Sequence, residues 1–324
     1  MKYAVLPSSI NRLNRLPEFA GITEWINIPA EKRDFSLQDL QNNVVLVYFW
    51  SYTSAASLRA LPHLTDWYKT YGGSSLVIVG IHTPQFVFEK NIGEVAAQIK
   101  KLQIEYAVGI DNEYLLWNAY GNKIRPSFYL ADVRGMVRYM SPGEGRWDET
   151  EESIQALLNE AERKIKSSSG TVLDATPQLY PLPDIFLGSE RINDFLVGRN
   201  LREGRYELTE TAEVPTGMVS LGGNWAVNSE GATAGEKASL TCRFHAANVY
   251  LVLRPGKGSA EVDVFLDGKV ADEENSGTDA KGGIIKAGHD GIYHVLSSID
   301  PRTSRLLRLE FPNAGTEIYE IEFG

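Results

Sequence analysis

Two serines, Ser54 and Ser57, stand three residues apart in the stretch Phe49-Trp50-Ser51-Tyr52-Thr53-Ser54-Ala55-Ala56-Ser57-Leu58-Arg59-Ala60-Leu61-Pro62. Upstream, residues 44–50 (VVLVYFW) form a continuous apolar, β-branched run, which predicts a strand buried on both faces. Downstream, Leu58, Leu61, Leu64 or Thr65, Tyr68 and Tyr71 recur at helical spacing as far as Gly72-Gly73. The serines therefore fall at the first turn of a helix that leaves a buried strand. A side chain there meets unpaired backbone N–H groups and the positive end of the helix dipole. As serines, the two residues read as helix caps. As positions, they are an environment that stabilises a thiolate, and the spacing brings both to one side of the turn.

The rest of the chain offers less chemistry. Its one cysteine, Cys242, lies in the alternating strand pattern Leu240-Thr-Cys-Arg-Phe244 and reads as a small core residue; one cysteine cannot form an intramolecular disulfide. The five histidines (63, 82, 245, 289 and 294) show no metal-ligand spacing, so no metal and no cofactor are expected, and His82 reads as structural. Gly-x-Ser-x-Gly is absent, which leaves a nucleophile-elbow hydrolase unsupported. Gly256-Lys-Gly258 reads as a turn, and Trp225 as a core or rim residue rather than a sugar-stacking platform.

The elements around the serines alternate. After the 44–50 strand and its helix, residues 76–81 predict a second buried strand, 92–102 a helix, 106–110 a short strand and 112–120 another helix. Residues 127–131 and 136–140 predict a hairpin around Asp132-Val-Arg-Gly135, and 150–166 a closing helix with Asp148 and Glu151 spaced as a capping box. A strand at 25–28 and the segment 35–40 predict an N-terminal extension. Lys166-Ser-Ser-Ser-Gly170 and prolines 177, 181 and 183 suggest a domain over 1–170, a linker over 171–190 and a second domain over 191–324. In the second domain the helical period gives way to short alternating segments at 206–210, 238–244, 248–254, 260–266, 291–296, 306–311 and 317–323, with a hairpin signal at Asp267-Gly268. The fold class expected is an α/β thioredoxin order followed by an all-β sandwich of jelly-roll type.

The 324-residue length fits two domains, and the formal charge of −10 argues against sequence-independent nucleic-acid binding. No apolar run reaches the roughly 18–20 residues of a membrane span, and residues 1–17 lack the core of a secretory signal. Both absences point to the cytoplasm. The alternative is the extracytoplasmic soluble part of a larger membrane protein.

With sulfur in place of the two hydroxyls, the stretch would read Phe-Trp-x-Tyr-Thr-Cys-x-x-Cys, followed five residues after the pair by Pro62. In this form it resembles the redoxin branch of the thioredoxin superfamily, especially the C-terminal soluble part of the DipZ-type thiol–disulfide proteins. The likeness continues through Gly80-Ile-His-Thr-Pro-Gln-Phe-Val-Phe-Glu-Lys90, Asp111-Asn112 with Trp117 and Tyr120, Arg125-Pro126-Ser127 and Gly143-Glu-Gly145, and the β half resembles the carbohydrate-module-like domain of the same proteins. The resemblance implies a thiol–disulfide oxidoreductase in which Ser54 and Ser57 hold the places of the nucleophilic and resolving cysteines and Pro126 that of the cis-proline. Trp50, Thr53, Ala55, Ala56 and Arg125 would border the substrate groove. The partners implied are a protein or peptide disulfide and a redox partner protein, with a glycan or another protein as a ligand of the β domain.

Two departures stand out. Serine at both positions predicts a redox-dead chain, through deliberate Cys-to-Ser replacement or as a natural inactive relative. Tyr48 stands where thioredoxins often carry a buried acid, so a cysteine-bearing parent would need another proton acceptor, Glu89 or water. The rival readings are a non-catalytic peptide- or glycan-binding protein and a peroxiredoxin-like peroxidase, the latter lacking its peroxidatic cysteine.

Overall fold

The computed structural model describes residues 15–29, 31–32, 35–165, 172–179, 182–256 and 258–324. Residues 166–170 at the expected domain end, Pro181 of the expected linker, Lys257 and most of residues 1–17 lie outside the described residues. The chain divides into two compact units, Met1–Thr176 and Pro177–Gly324.

The first unit runs β1 (Trp25–Ile26), β2 (Val44–Trp50), α1 (Ala55–Tyr71), β3 (Leu76–His82), α2 (Ile92–Lys101), β4 (Ala107–Ile110), α3 (Leu115–Ala119), β5 (Ser127–Ala131), β6 (Val137–Pro142) and α4 (Trp147–Glu160). Six strands form one sheet in the order β1-β4-β3-β2-β5-β6, with β2, β3 and β4 parallel and the others antiparallel to their neighbours. Every residue of β2 is buried, as a continuous apolar run at the centre of a two-sided sheet requires. Its even-numbered residues pack with α1, α2 and α4; Val45, Val47 and Phe49 pack with α3 and with Leu16, Phe19, Trp25 and Leu40 of the N-terminal extension. The C-terminal ends of β2, β3 and β4 and the start of β5 thus lie at one end of the unit, where the serines are.

The helices differ from expectation in extent. The buried face of α1 runs through Ala60, Leu64, Trp67 and Tyr71, and Leu58 and Tyr68 only flank it. Helix α3 starts at Leu115 rather than 112, because Tyr114 is left-handed and the Asp111 carboxylate receives the N–H groups of Leu116 (3.1 Å) and Trp117 (2.8 Å) from outside the helix. Helix α4 starts at Trp147 and stops at Glu160. Its N-cap is left-handed Arg146 with no side-chain cap, so the Asp148–Glu151 capping box does not form. The indole of Trp147 stacks on His63, 4.3 Å between centroids, and donates to Asp174 at 2.9 Å, which fixes the start earlier. At the other end Glu162 is left-handed, with Glu162 N–H bonded to Asn159 and Arg163 N–H to Leu158, a Schellman stop made without glycine.

The second unit contains β7 (Ile185–Phe186), β8 (Gly204–Leu208), β9 (Met218–Val227), β10 (Ala232–Ala234), β11 (Ser239–Phe244), β12 (Val249–Arg254), β13 (Ala260–Leu266), β14 (Lys269–Val270), β15 (Ile284–Ala287), β16 (Gly291–Leu296), β17 (Arg305–Glu310) and β18 (Glu317–Phe323). A seven-stranded sheet, β16-β12-β18-β10-β9-β8 with β7 on β18, faces a five-stranded one, β11-β17-β13-β14 with β15 on β13. The seven expected segments are all strands, and Asp267-Gly268, both at positive φ, is the two-residue loop between β13 and β14. The chain is therefore an α/β thioredoxin fold followed by an all-β sandwich.

Candidate functional site

Ser54 is the N-cap of α1: its backbone is extended, and its Oγ accepts the Ser57 N–H at 3.3 Å. Ser57 is the third helical residue. It is fully buried, and its Oγ has no hydrogen-bond partner among the described residues. The two serines thus share one helical turn. An unpaired buried hydroxyl costs on the order of 1–3 kcal/mol, whereas a thiol in the same place is a weak donor that loses little.

Pro126 follows a cis Arg125–Pro126 bond and precedes β5, whose Ser127 lies opposite Phe49 of β2. In that register Pro126 falls beside the end of β2, the strand that leads to Ser54. Arg125 is tied to the loop after β3. Its guanidinium donates to the carbonyls of Thr83 (3.1 Å) and Pro84 (2.9 Å) and lies 4.2 Å from the Trp117 ring centre.

Three of the residues expected to border the groove are buried. Trp50 and Thr53 are fully buried and Ala55 nearly so. Trp50 stacks between layers of the core, on Tyr48 and edge-on to His82, because it ends a strand buried on both faces. Neither Trp50 nor Thr53 offers side-chain surface to a substrate; they support the site from below. Ala56 and Arg125 remain partly exposed.

Beneath the turn lies a polar cluster that the sequence motif alone did not assemble. The fully buried Glu89 carboxylate accepts Ser51 Oγ (2.5 Å), Thr53 Oγ1 (2.8 Å) and the backbone N–H groups of Gln85 (2.9 Å) and Phe86 (3.0 Å), and His82 Nε2 lies 3.5 Å from it. Burial pulls the carboxyl pKa up, but the His82 ring and the two hydroxyls outweigh it and hold Glu89 below its ordinary value. With both oxygens engaged, Glu89 is not the open proton acceptor suggested by its sequence position. Tyr48 is no base either. Burial pushes its phenol well above its ordinary pKa, and the hydroxyl donates to the Ser57 carbonyl at 2.6 Å. On the outer side, Arg59 grips Glu144 of the Gly143-Glu-Gly145 motif through two bonds of 2.7 Å.

Elsewhere, Cys242 is fully buried in the β sandwich, and burial pushes its thiol up to about 12. Trp225 is buried, with its indole N–H on the Gly222 carbonyl at 2.8 Å, and presents no face to a sugar. Among the described residues no cluster of His, Cys, Asp and Glu could hold a metal ion, and no helix is long and apolar enough to cross a membrane.

Comparison with known proteins bears on both units. Residues 14–140 match the AhpC/TSA family, and residues 182–324 match the thioredoxin-like C-terminal domain family. Protein DipZ of Mycobacterium bovis and that of Mycobacterium tuberculosis are each 32% identical over 312 residues, covering 95% of this chain and 42% of their own length. This chain therefore spans less than half the length of those relatives. Among solved structures, a thiol-disulfide isomerase from Corynebacterium glutamicum is 19% identical, covers 44% of this chain and 96% of its own, and has a TM-score of 0.39. The two family matches, in the chain order that the two folded units follow, and the alignment to DipZ across nearly the whole chain lead to one assignment: the chain is a thioredoxin-superfamily redoxin with a DipZ-like C-terminal region.

Proposed function

We propose that this chain is a redox-silent redoxin: it keeps the partner-binding end of a thiol–disulfide oxidoreductase but lacks the sulfurs that exchange. The observation that carries the reading is the unpartnered, fully buried Ser57 hydroxyl one helical turn from the Ser54 cap. Such a hydroxyl makes no use of its polarity, and a thiol in its place would lose little by burial.

In a cysteine-bearing form, a thiolate at 54 would attack a partner disulfide. One partner sulfur would join residue 54, and the other would leave as a thiolate. A thiolate at 57 would then attack the sulfur at 54, form the 54–57 disulfide and release the second partner sulfur. Two electrons would pass to the partner, and its thiolates would take up protons from solvent. Pro126, having no N–H, would leave the attacking sulfur without a competing donor. With serines, neither thiolate exists. Cys242 offers no substitute, since its thiol is buried and its pKa is raised to about 12. The proposed role is non-covalent binding of a protein or peptide partner at the Ser54, Ala56 and Pro126 end. Insulin-disulfide reduction by dithiothreitol tests it: addition of the chain should leave the rate at the blank, and acceleration would refute the reading.

A further inference from the structure

We propose that Glu89 is a positioning residue of this site: it fixes the turn at residues 51–54, and with it the spacing of positions 54 and 57, by holding that turn to the loop that follows β3. The inference rests on the reading of positions 54 and 57 as a disulfide-exchange pair.

The turn at 51–54 leaves the sheet after Trp50 and so loses the ladder bonds that hold β2. Its side of the connection is made of two hydroxyls. Ser51 Oγ and Thr53 Oγ1 lie 2.8 Å apart, the Thr53 N–H donates to Ser51 Oγ at 3.0 Å, and both hydroxyls reach the Glu89 carboxylate. The other side is backbone: Gln85 and Phe86 N–H groups reach the same carboxylate, so Glu89 closes its own loop and the turn together. That loop is in turn fixed from across the end of β2, because Arg125 donates to the Thr83 and Pro84 carbonyls while packed on Trp117. A fully buried carboxylate with this many donors is a costly group to retain for packing alone. An apolar side chain would fill the volume, but only an acceptor with two oxygens can gather both hydroxyls and both N–H groups. The cluster reaches the pair through the backbone, where the Ser54 N–H donates to the Ser51 carbonyl at 3.3 Å, so its effect on the pair runs through the backbone of 51–54.

The test uses the full chain carrying Ser54→Cys and Ser57→Cys, in which the exchange equilibrium with dithiothreitol and the pH profile of alkylation at residue 54 can both be read. Glu89→Gln in that background should lower the equilibrium constant for 54–57 disulfide formation roughly tenfold or more, since small misplacement of reacting groups is strongly felt, and should move the alkylation profile. Ser51→Ala with Thr53→Val releases the same connection from the other side and should act in the same direction; it also serves should the Glu89 variant not fold. Arg125→Ala should repeat the effect at smaller size. Folded variants with a lower thermal midpoint but an unchanged equilibrium constant and profile would overturn the inference and leave Glu89 a structural group. Failure of the doubly substituted parent to form any 54–57 disulfide would instead overturn the reading on which the inference rests.

Discussion

Ser54 and Ser57 share a helical turn and differ in what their hydroxyls do, so opposite outcomes follow from the same substitution. Ser54 Oγ caps α1 through the Ser57 N–H; Ser54→Ala should lower the stability of the first unit by about 1 kcal/mol, the ordinary cost of a lost N-cap. Ser57 Oγ is buried without a partner; Ser57→Ala should be neutral or stabilising by up to about 1 kcal/mol, because it removes a desolvated hydroxyl. Chemical denaturation of the two variants side by side reads both signs. A loss at Ser57→Ala as large as at Ser54→Ala would mean that the Ser57 hydroxyl has a stabilising role the geometry does not reveal. Of the residues expected to border the groove, Trp50 and Thr53 could not have been placed from the motif. Spacing locates a side chain at the end of a strand, but whether it faces solvent depends on which loops fold over it, here the one that brings Glu89 under the turn.

At the scale of elements, α1 meets α4 through His63 and Trp147, and meets the loop before α4 through the Arg59–Glu144 pair. Burial holds the His63 imidazole below its ordinary pKa, against the pull of Asp174, Asp66, Glu151 and Asp148. Above the unfolded value of about 6.5, both folded and unfolded chains keep His63 neutral. As the pH falls through that value the unfolded chain takes up the proton first, so stability should decline until the lower folded value is passed. His63→Phe, which keeps a ring against Trp147, should flatten that part of the stability–pH curve; an unchanged slope would assign the acid sensitivity to other groups. Arg59 and Glu144 are mostly buried and bonded twice. Glu144→Gln should therefore cost roughly 1.5–3 kcal/mol, more than an exposed pair would, as read from the denaturation midpoint. The strands were legible because a buried central strand leaves an unbroken apolar run. Helix ends were less so: α4 stops at a left-handed Glu162 and α2 at a left-handed Gln103, with no glycine to announce either stop. Strand β9, ten residues long, was missed because Gly222 and Gly223 interrupt its pattern. There a Cβ on Gly223 would stand 2.1 Å from the Lys237 carbonyl oxygen, so close backbone approach, not a turn, requires the glycine.

At the scale of the whole molecule, two units of different architecture follow each other, and the lone thiol belongs to the one that does not carry the serines. Native protein should therefore react negligibly with an aromatic disulfide reagent at neutral pH, and denatured protein should release one equivalent of thiol; fast reaction of the native chain would show that Cys242 is reachable. The order of folds was readable because alternation of strands and helices gives way to period-two segments once, near residue 200. The sheet pairings were not, since the partner of each β segment is set by contacts between residues far apart in the chain. If the two hydroxyls occupy the places of an exchangeable sulfur pair, mild oxidation of the Ser54→Cys, Ser57→Cys chain should join positions 54 and 57, which intact mass reads. Loss of two hydrogens and a peptide map linking residue 54 to residue 57, reversed by dithiothreitol, is the expected result; thiols that stay free at both 54 and 57 of a folded protein, beside that of Cys242, would contradict it.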